Sequence, residues 1–502
     1  MQLSRRAALS AALLPLLARP VRAAPTPDRI IFGLSAFPPS LLPFANTGAA
    51  AATVKLLMYR GLMSYDRTGT LRGELAESWQ PDGATGWLFR LREAGFHNGA
   101  PVTSADVRYT LEQVVAERST AYLRSALAGV KQIDTPDART VRIVMAEPTA
   151  TLPEWLASPH MPIIAQGSIE QPIGAGPYTL TAQERGVSLE LTASGKFYRP
   201  GLPKTKTIRM IAYPDENLRL AALTSGDVDI IEYVPWQSFD AVQASPALKL
   251  DSTMGPFMNL LFNGRSGPFK DPRLRLATAF AIRREEIVKA VFFGHGAPLG
   301  SLPIAPGSAY YDPNPPNAWH YDPDRARKLL AEAGVPNGFD CTLLATSQYG
   351  MHRDTGQIVQ QHLGEIGIRV QLSLPEWGQR VALGNRGQYE FAVFVTTADS
   401  NDPDGLAAVT DGELSPVYSR SAGLATPELH KLFAEGRAEY DTAKRRAIYA
   451  RVEQVFLQQA PYVSLAWRAQ AYGMAKSVQG FGTLPGALTG NSGILLEEAW
   501  IG

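Results

Sequence analysis

The chain has 502 residues, with 48 basic and 47 acidic side chains, seven histidines and one cysteine. Apolar residues make up 45% and charged residues 19%, too apolar for a disordered chain, and a formal net charge of +1 gives no electrostatic basis for nucleic acid or an anionic membrane as partner. One cysteine excludes an internal disulfide framework and a cysteine-based zinc cluster, and at roughly 100–200 residues per domain the length fits about three structural units.

Residues 1–23 read as an export signal. Arg5-Arg6 precede an apolar run from Ala7 to Ala18, and Val21-Arg22-Ala23 forms a small-residue cleavage site. Ser4-Arg5-Arg6 with Leu9 resembles a twin-arginine signal. The run is too short to span a bilayer, and no cysteine adjoins the cleavage site, so a freely soluble periplasmic product is expected. Removing the signal takes away four arginines and no acid, leaving 479 residues with a net charge of −3.

Along the mature chain, the pattern predicts a strand over Arg29–Leu34 and a helix over Ala50–Leu62. Alternating strands follow at Trp87–Leu91 and Thr140–Met145, with a helix between them opened by Thr103 and Asp106 in the manner of a capping box. Asp271-Pro272 and Asp322-Pro323 open two more helices, since aspartate caps and proline suits the first turn. A helix over Gly356–Ile366, strands over Arg369–Leu374 and Tyr389–Val395, and a long helix over Thr442–Gln459 complete a mixed α/β chain. Cys341 falls in an apolar strand and reads as an inert core thiol.

Catalytic and metal signatures are missing. There is no G-x-S-x-G, H-E-x-x-H, C-x-x-C or phosphate-binding G-x-x-x-x-G-K-[ST], and no two histidines stand at ligand spacing. Gly294–Gly300 misses the dinucleotide fingerprint by one residue and contains Pro298, so it reads as a turn. No catalytic residue, cofactor or metal is expected.

Five segments, in order, carry a resemblance. They are Leu75-Ala76-Glu77-Ser78-Trp79 with Trp87–Arg92 and Phe96–Val107; Gly174-Ala175-Gly176-Pro177-Tyr178; Asn259–Asn263 with Pro268–Arg275 and Ala281–Glu285; Thr397-Ala398-Asp399-Ser400-Asn401-Asp402-Pro403; and Gln459–Leu465. The set resembles the extracytoplasmic solute-binding proteins of ATP-binding-cassette importers, peptide/nickel-type, family 5. The resemblance implies a two-lobe α/β periplasmic-binding-protein fold with an extra domain and a ligand cleft between lobes. Carried onto this chain, residues 24–58, 176–257 and 480–502 form lobe I, residues 59–175 its extra domain, and residues 258–479 lobe II. It also implies a monomer that hands its ligand to a membrane permease.

In peptide-binding relatives an Asp in the fourth segment holds the ligand ammonium, which maps to Asp399, flanked by Thr396, Thr397 and Ala398. A carboxylate suits an enclosed cation, whose lost hydration needs a charge-assisted hydrogen bond in return. The loop Asn46-Thr47-Gly48 matches a place of backbone contact, and Tyr178 is the candidate contact of the glycine-rich turn. Gln348, Tyr349 and Trp377 are the candidates on lobe II. Thr396 stands where many peptide binders have tryptophan, and Thr346–Gly350 lacks the carboxylate-binding arginine of dipeptide binders, the nearest being Arg353. The ligand expected is therefore a peptide or peptide-like solute other than a strict free dipeptide. The alternatives are an opine or oligosaccharide on the same fold, or an exported hydrolase.

Overall fold

The computed structural model describes residues 28–306, 308–414 and 417–502, so the export signal at 1–23 lies outside the described residues. Most of its strands join one eleven-stranded sheet. On one side Arg29–Leu34 pairs in parallel with Thr207–Ala212 and with Ile230–Glu232, and two antiparallel strands extend that edge. On the other, Asp340–Leu344 pairs in parallel with Arg369–Ser373 and Phe391–Thr396. Two long antiparallel strands, Leu248–Phe262 and Tyr462–Ala475, link these halves.

The register of the long pair shifts between Met254 and Phe257, where Gly255-Pro256 falls. A bulge there re-aims the strand, and proline is tolerated because the ladder is already interrupted. Gly255 is needed for close approach, since a Cβ on it would strike the carbonyl of Gly486.

The apolar cores divide accordingly. One gathers Phe257–Phe262, Leu343, Val393, Phe456 and their neighbours; another gathers Phe32, Leu57, Phe89, Val107, Tyr178 and Leu191 with Leu484–Leu496. Residues 59–175 carry a separate four-stranded antiparallel sheet, Ala76–Asp82, Gly86–Leu91, Thr140–Met145 and Val130–Asp137, but share the second of these cores. Trp87, Phe89 and Leu91 alternate inward, and the helix Ser104–Val115 covers them with Val107, Leu111 and Val114. Its capping box is formed, the Thr103 amide donating to Asp106 at 2.8 Å.

Several boundaries differ from the sequence pattern. The helix expected over Ala50–Leu62 spans Ala49–Met58, because Tyr59 turns extended and Gly61 packs against the Leu156 carbonyl. The helix expected from Gly356 begins at Gly350, and Gly296–Pro298, read as a turn, is a short strand on the second long strand. Tyr472, Met474 and Val478, assigned by sequence to lobe II, pack in the core of residues 30–210, because the second long strand crosses over. Cys341 is buried, and burial raises its thiol to about 12. Among the described residues no helix is long and apolar enough to cross a membrane.

One buried ion cluster joins distant segments of the first half. Arg60 reaches Glu74 at 3.2 Å and also pairs with Glu497; Arg199 reaches Glu497 at 2.6 Å and Glu74 at 2.5 Å. Glu74 and Glu497 are at most 1% exposed. Removing one member of a buried network strands the charges left behind, which costs about 3–5 kcal/mol. Glu497→Gln should therefore lower the unfolding free energy by about 3 kcal/mol in urea titration, with the denaturant slope unchanged.

Candidate functional site

Between the two halves lies a cavity of about 290 Å³. Asn46, Gly48, Ala49 and Ala52 close one side, with Ser158–His160 and Tyr233; Val395–Asp399 close the other. Pro256, Arg468 and Gln470 of the long strands form its back, and Ala487 with Thr489–Asn491 completes the wall.

Asp399 stands in the loop that follows the strand Phe391–Thr396. That loop is held rigidly: the Asn401 amide donates to the Pro485 carbonyl at 3.1 Å, and the Ala487 amide donates to Asn401 at 2.8 Å. Asp402 pairs both oxygens with Arg445 at 2.8 and 2.9 Å and caps the turn at Asp404. The loop thus presents the Asp399 carboxylate to the cavity at a defined point.

Across the cleft, the Tyr122 hydroxyl donates to Asp399 Oδ1 at 2.8 Å. Asp399 opens onto the cleft but is walled by protein, and this desolvation raises its pKa, with the phenol hydrogen bond acting against the rise. The Tyr122 pKa is raised as well, chiefly by desolvation and then by the Asp399 charge. Tyr122 meets His160 edge-on, ring centroids 5.1 Å apart.

The Lys55 amine contacts His160 Nδ1 at 2.9 Å and donates to the Pro43 and Ala45 carbonyls at 3.3 and 2.6 Å. Burial lowers Lys55 to about 8, and burial together with the Lys55 charge lowers His160 to about 3. An ammonium donating to Nδ1 leaves the His160 proton on Nε2, so the ring is neutral and its lone pair engaged.

At the back of the cavity Arg468 is 5% exposed. Its Nη2 reaches Gln470 Oε1 at 3.5 Å, while Nε and Nη1 have no hydrogen-bond partner. The guanidinium stacks over Trp236 at 5.7 Å, beside the Tyr233 phenol, and burial lowers its pKa. Tyr233 has φ of 53°, an uncommon conformation for a bulky residue, held by Arg219 Nη2 donating to its carbonyl at 3.0 Å. Thr489 Oγ1, on the same wall, is also buried without a partner.

Of the residues proposed from sequence, the structure brings Asn46, Gly48, Thr396, Thr397, Ala398 and Asp399 together on the cavity wall. Thr47 turns away, its hydroxyl donating to the Ser40 carbonyl at 3.1 Å. Tyr178 is not at the cleft: it is fully buried in the core, its hydroxyl donating to the Thr205 carbonyl at 3.0 Å, because Gly174 and Gly176 press this turn against Met58. Gln348, Tyr349 and Trp377 lie off the cavity wall. The Trp377 amide donates to Gln348 Oε1 at 3.3 Å, and the two rings form an edge-to-face cluster with His352 and Tyr418 over the buried Arg380.

Sequence reasoning missed Tyr122, His160, Tyr233, Arg468 and Gln470. Arg468 carried a usable signal, a charge inside the otherwise largely apolar run Tyr462–Ala475, every residue of which is buried. Tyr122 carried none, because its partner lies 277 residues away.

The comparisons with known proteins agree with this architecture. Residues 70–413 match the family model for bacterial extracellular solute-binding proteins, family 5. The glutathione-binding protein GsiB of Escherichia coli (strain K12) is 26% identical over 484 residues, 92% of each chain. AgaA of A. tumefaciens R10, solved with agropinic acid, superimposes with a TM-score of 0.87 at 35% identity, covering 94% of this chain and 99% of that one. DppA of Helicobacter pylori, solved with the peptide STSA, superimposes with a TM-score of 0.82 at 20% identity, covering 94% and 98%. The fold is that of a two-lobed binding protein with its cleft between the lobes. The chain belongs to family 5 of the bacterial extracellular solute-binding proteins, the solute receptors of ATP-binding-cassette importers.

The Asp399–Tyr122 bond can be checked without a ligand. In carboxyl-labelled protein, the Asp399 carbon should titrate above the ordinary aspartate range in NMR. In Tyr122→Phe it should titrate higher still, because the lost phenol bond had stabilised the ionised form.

Proposed function

We propose that this protein is a periplasmic receptor that captures a small peptide or peptide-like solute through its ammonium group and delivers it to an ATP-binding-cassette permease. The observation that carries the reading is Asp399, a rigidly held carboxylate on the cavity wall, hydrogen-bonded across the cleft by Tyr122. An enclosed ammonium needs such a charge-assisted acceptor. Asn46 and Gly48 supply short polar contacts on the facing side.

Residues 24–58, 176–257 and 480–502 act as the first lobe, 59–175 as its extra domain and 258–479 as the second, save that Tyr472–Val478 pack with the first, and closure is driven by the ligand's preference for the closed state. The receptor works as a monomer, exported through residues 1–23 by the twin-arginine route. It performs no covalent chemistry. Ser158 and His160 share the cavity wall, yet the His160 lone pair is taken by Lys55, and burial beside that charge leaves it at about 3, which disqualifies it as a general base near neutral pH.

A second reading, a receptor for an opine, is supported by the 35% identity to AgaA with its agropinic acid and by a cavity at the small end of the range for ligand pockets.

Isothermal titration of Asp399→Asn with glutathione and with the dipeptide Met-Leu tests the ammonium contact. A hydrogen bond to a charged group is worth about 1.5–3 kcal/mol, so whichever probe the wild type binds should lose about 10–100-fold in affinity. Unchanged affinity for an amine-bearing probe would remove Asp399 from the site.

A further inference from the structure

Arg468 is a cation whose answering groups among the described residues carry no carboxylate: they are the Gln470 amide oxygen and the Tyr233 phenol. It is 5% exposed, two of its three nitrogens lack partners, and among the described residues no carboxylate pairs with it. Every other arginine in the structure that is this deeply buried donates to backbone carbonyls or pairs with acids, as Arg275, Arg284 and Arg60 do. A buried guanidinium left without an anion is unfavourable unless something else fills its N–H groups. Arg468 lines the cavity, so a ligand held there is placed to supply the missing anion.

A second, independent feature points the same way. The ten-residue helix Ala49–Met58 begins at the cavity, with Gly48, Ala49 and Ala52 on the wall. No side chain caps its first amides and its first turn holds no acid. Gly48 has φ of 103°, and a Cβ built on it meets nothing within 4 Å, so the space beside the helix start is open there. A helix start of this kind favours negative charge through its free N–H groups and its dipole. Thr489 adds an unpartnered buried hydroxyl.

We propose that Arg468, with the start of the helix Ala49–Met58 and Thr489, is an anion subsite that receives a carboxylate of the ligand. This deepens, and rests on, the receptor reading above, in which Asp399 takes the ammonium. Asp399 and Arg468 are the one acid and the one arginine on the cavity wall among the described residues. A ligand that satisfies both is a zwitterionic amino-acid conjugate. At about 290 Å³ the cavity holds roughly ten water volumes, the size of a dipeptide or a similarly small conjugate rather than a long peptide. A simple amine would leave Arg468 unanswered and be repelled by it. A neutral saccharide would answer neither charge. The subsite also resolves the missing arginine of the loop Thr346–Gly350: the cation for the carboxylate stands on the second long strand instead.

The test measures binding of glutathione, Met-Leu and agropinic acid, and of their carboxylate-neutralised amides, to wild type, Arg468→Gln, Arg468→Lys and Asp399→Asn by titration calorimetry. The expected result is that at least one carboxylate-bearing probe binds the wild type. Neutralising its carboxylate and Arg468→Gln should each weaken binding at least tenfold, with no further loss when combined, and Arg468→Lys should restore part of the affinity. Without ligand, Arg468→Gln should melt at or above the wild-type temperature, because an unpaired buried charge has been removed; a purely structural arginine would lower it. Full affinity of Arg468→Gln for a carboxylate-bearing probe, equal binding of the amide, or binding by no carboxylate-bearing probe would overturn the subsite. If Asp399→Asn has no effect while Arg468→Gln does, the ammonium reading fails and the anion subsite stands. The reverse outcome sinks the subsite alone.

Discussion

The two long strands, Leu248–Phe262 and Tyr462–Ala475, are what the rest of the molecule hangs on. They belong to both halves of the sheet at once, pairing with Phe391–Thr396 at one end and with Ile230–Glu232 at the other. A hydrogen-bonded ladder tolerates bending and twisting but not slippage, since a one-residue shift would exchange the two faces of a strand and undo the packing on both. The ladder between the two strands is interrupted twice, at Gly255-Pro256 and between Met258 and Asn259, and Pro256 lies on the cavity wall. The candidate site and an interruption of the ladder coincide.

That coincidence explains the chemistry of the cavity. The second long strand is buried along its whole length and the first from Gly255 to Phe262, so a polar residue there is costly unless it has a task. Arg468 and Gln470 are the polar side chains that the second strand turns toward the cleft, and Trp236 with the strained Tyr233 shapes the wall around them. The two opposing sides are built from loops anchored by buried pairs: Asp402 with Arg445 behind Asp399, and Lys55 with the carbonyls of Pro43 and Ala45 behind Asn46. Contacts that never touch the ligand thus set where the polar groups stand. The lobes also meet beside the cavity, Thr151 donating to Asp404 at 2.9 Å and the Ala150 amide to the Arg437 carbonyl at 2.7 Å.

Local features of this fold were legible in the sequence because their physics is local. The strands Arg29–Leu34 and Thr140–Met145 follow from alternation, and the helix Thr442–Gln459 and the cap at Thr103 follow from spacing and hydrogen-bonding side chains within a few residues. Asp399 was legible because its loop has a recognisable order of residues. Thr47 was not separable from Asn46 and Gly48, since the turn before the helix decides which of three neighbours faces inward. Tyr349 and Trp377 do cluster, as rings near one another in a fold tend to, but composition does not say whether the cluster faces the cavity. Tyr178 sits two residues after a glycine whose lack of a Cβ serves packing against Met58, and packing of that kind is a tertiary fact. Arg468 was legible in principle, as a charge inside a run that otherwise reads as core.

The buried ion cluster of Arg60, Glu74, Arg199 and Glu497 bears on the order in which the protein folds. Its members lie as far as 437 residues apart, so the first half holds uncompensated buried charge until residue 497 arrives. Contacts of such sequence separation slow folding, whereas the other core is drawn almost wholly from the contiguous stretch 257–467. The first half therefore depends on the C-terminal segment to balance its buried charge, and the cavity wall facing Asp399 depends on that half.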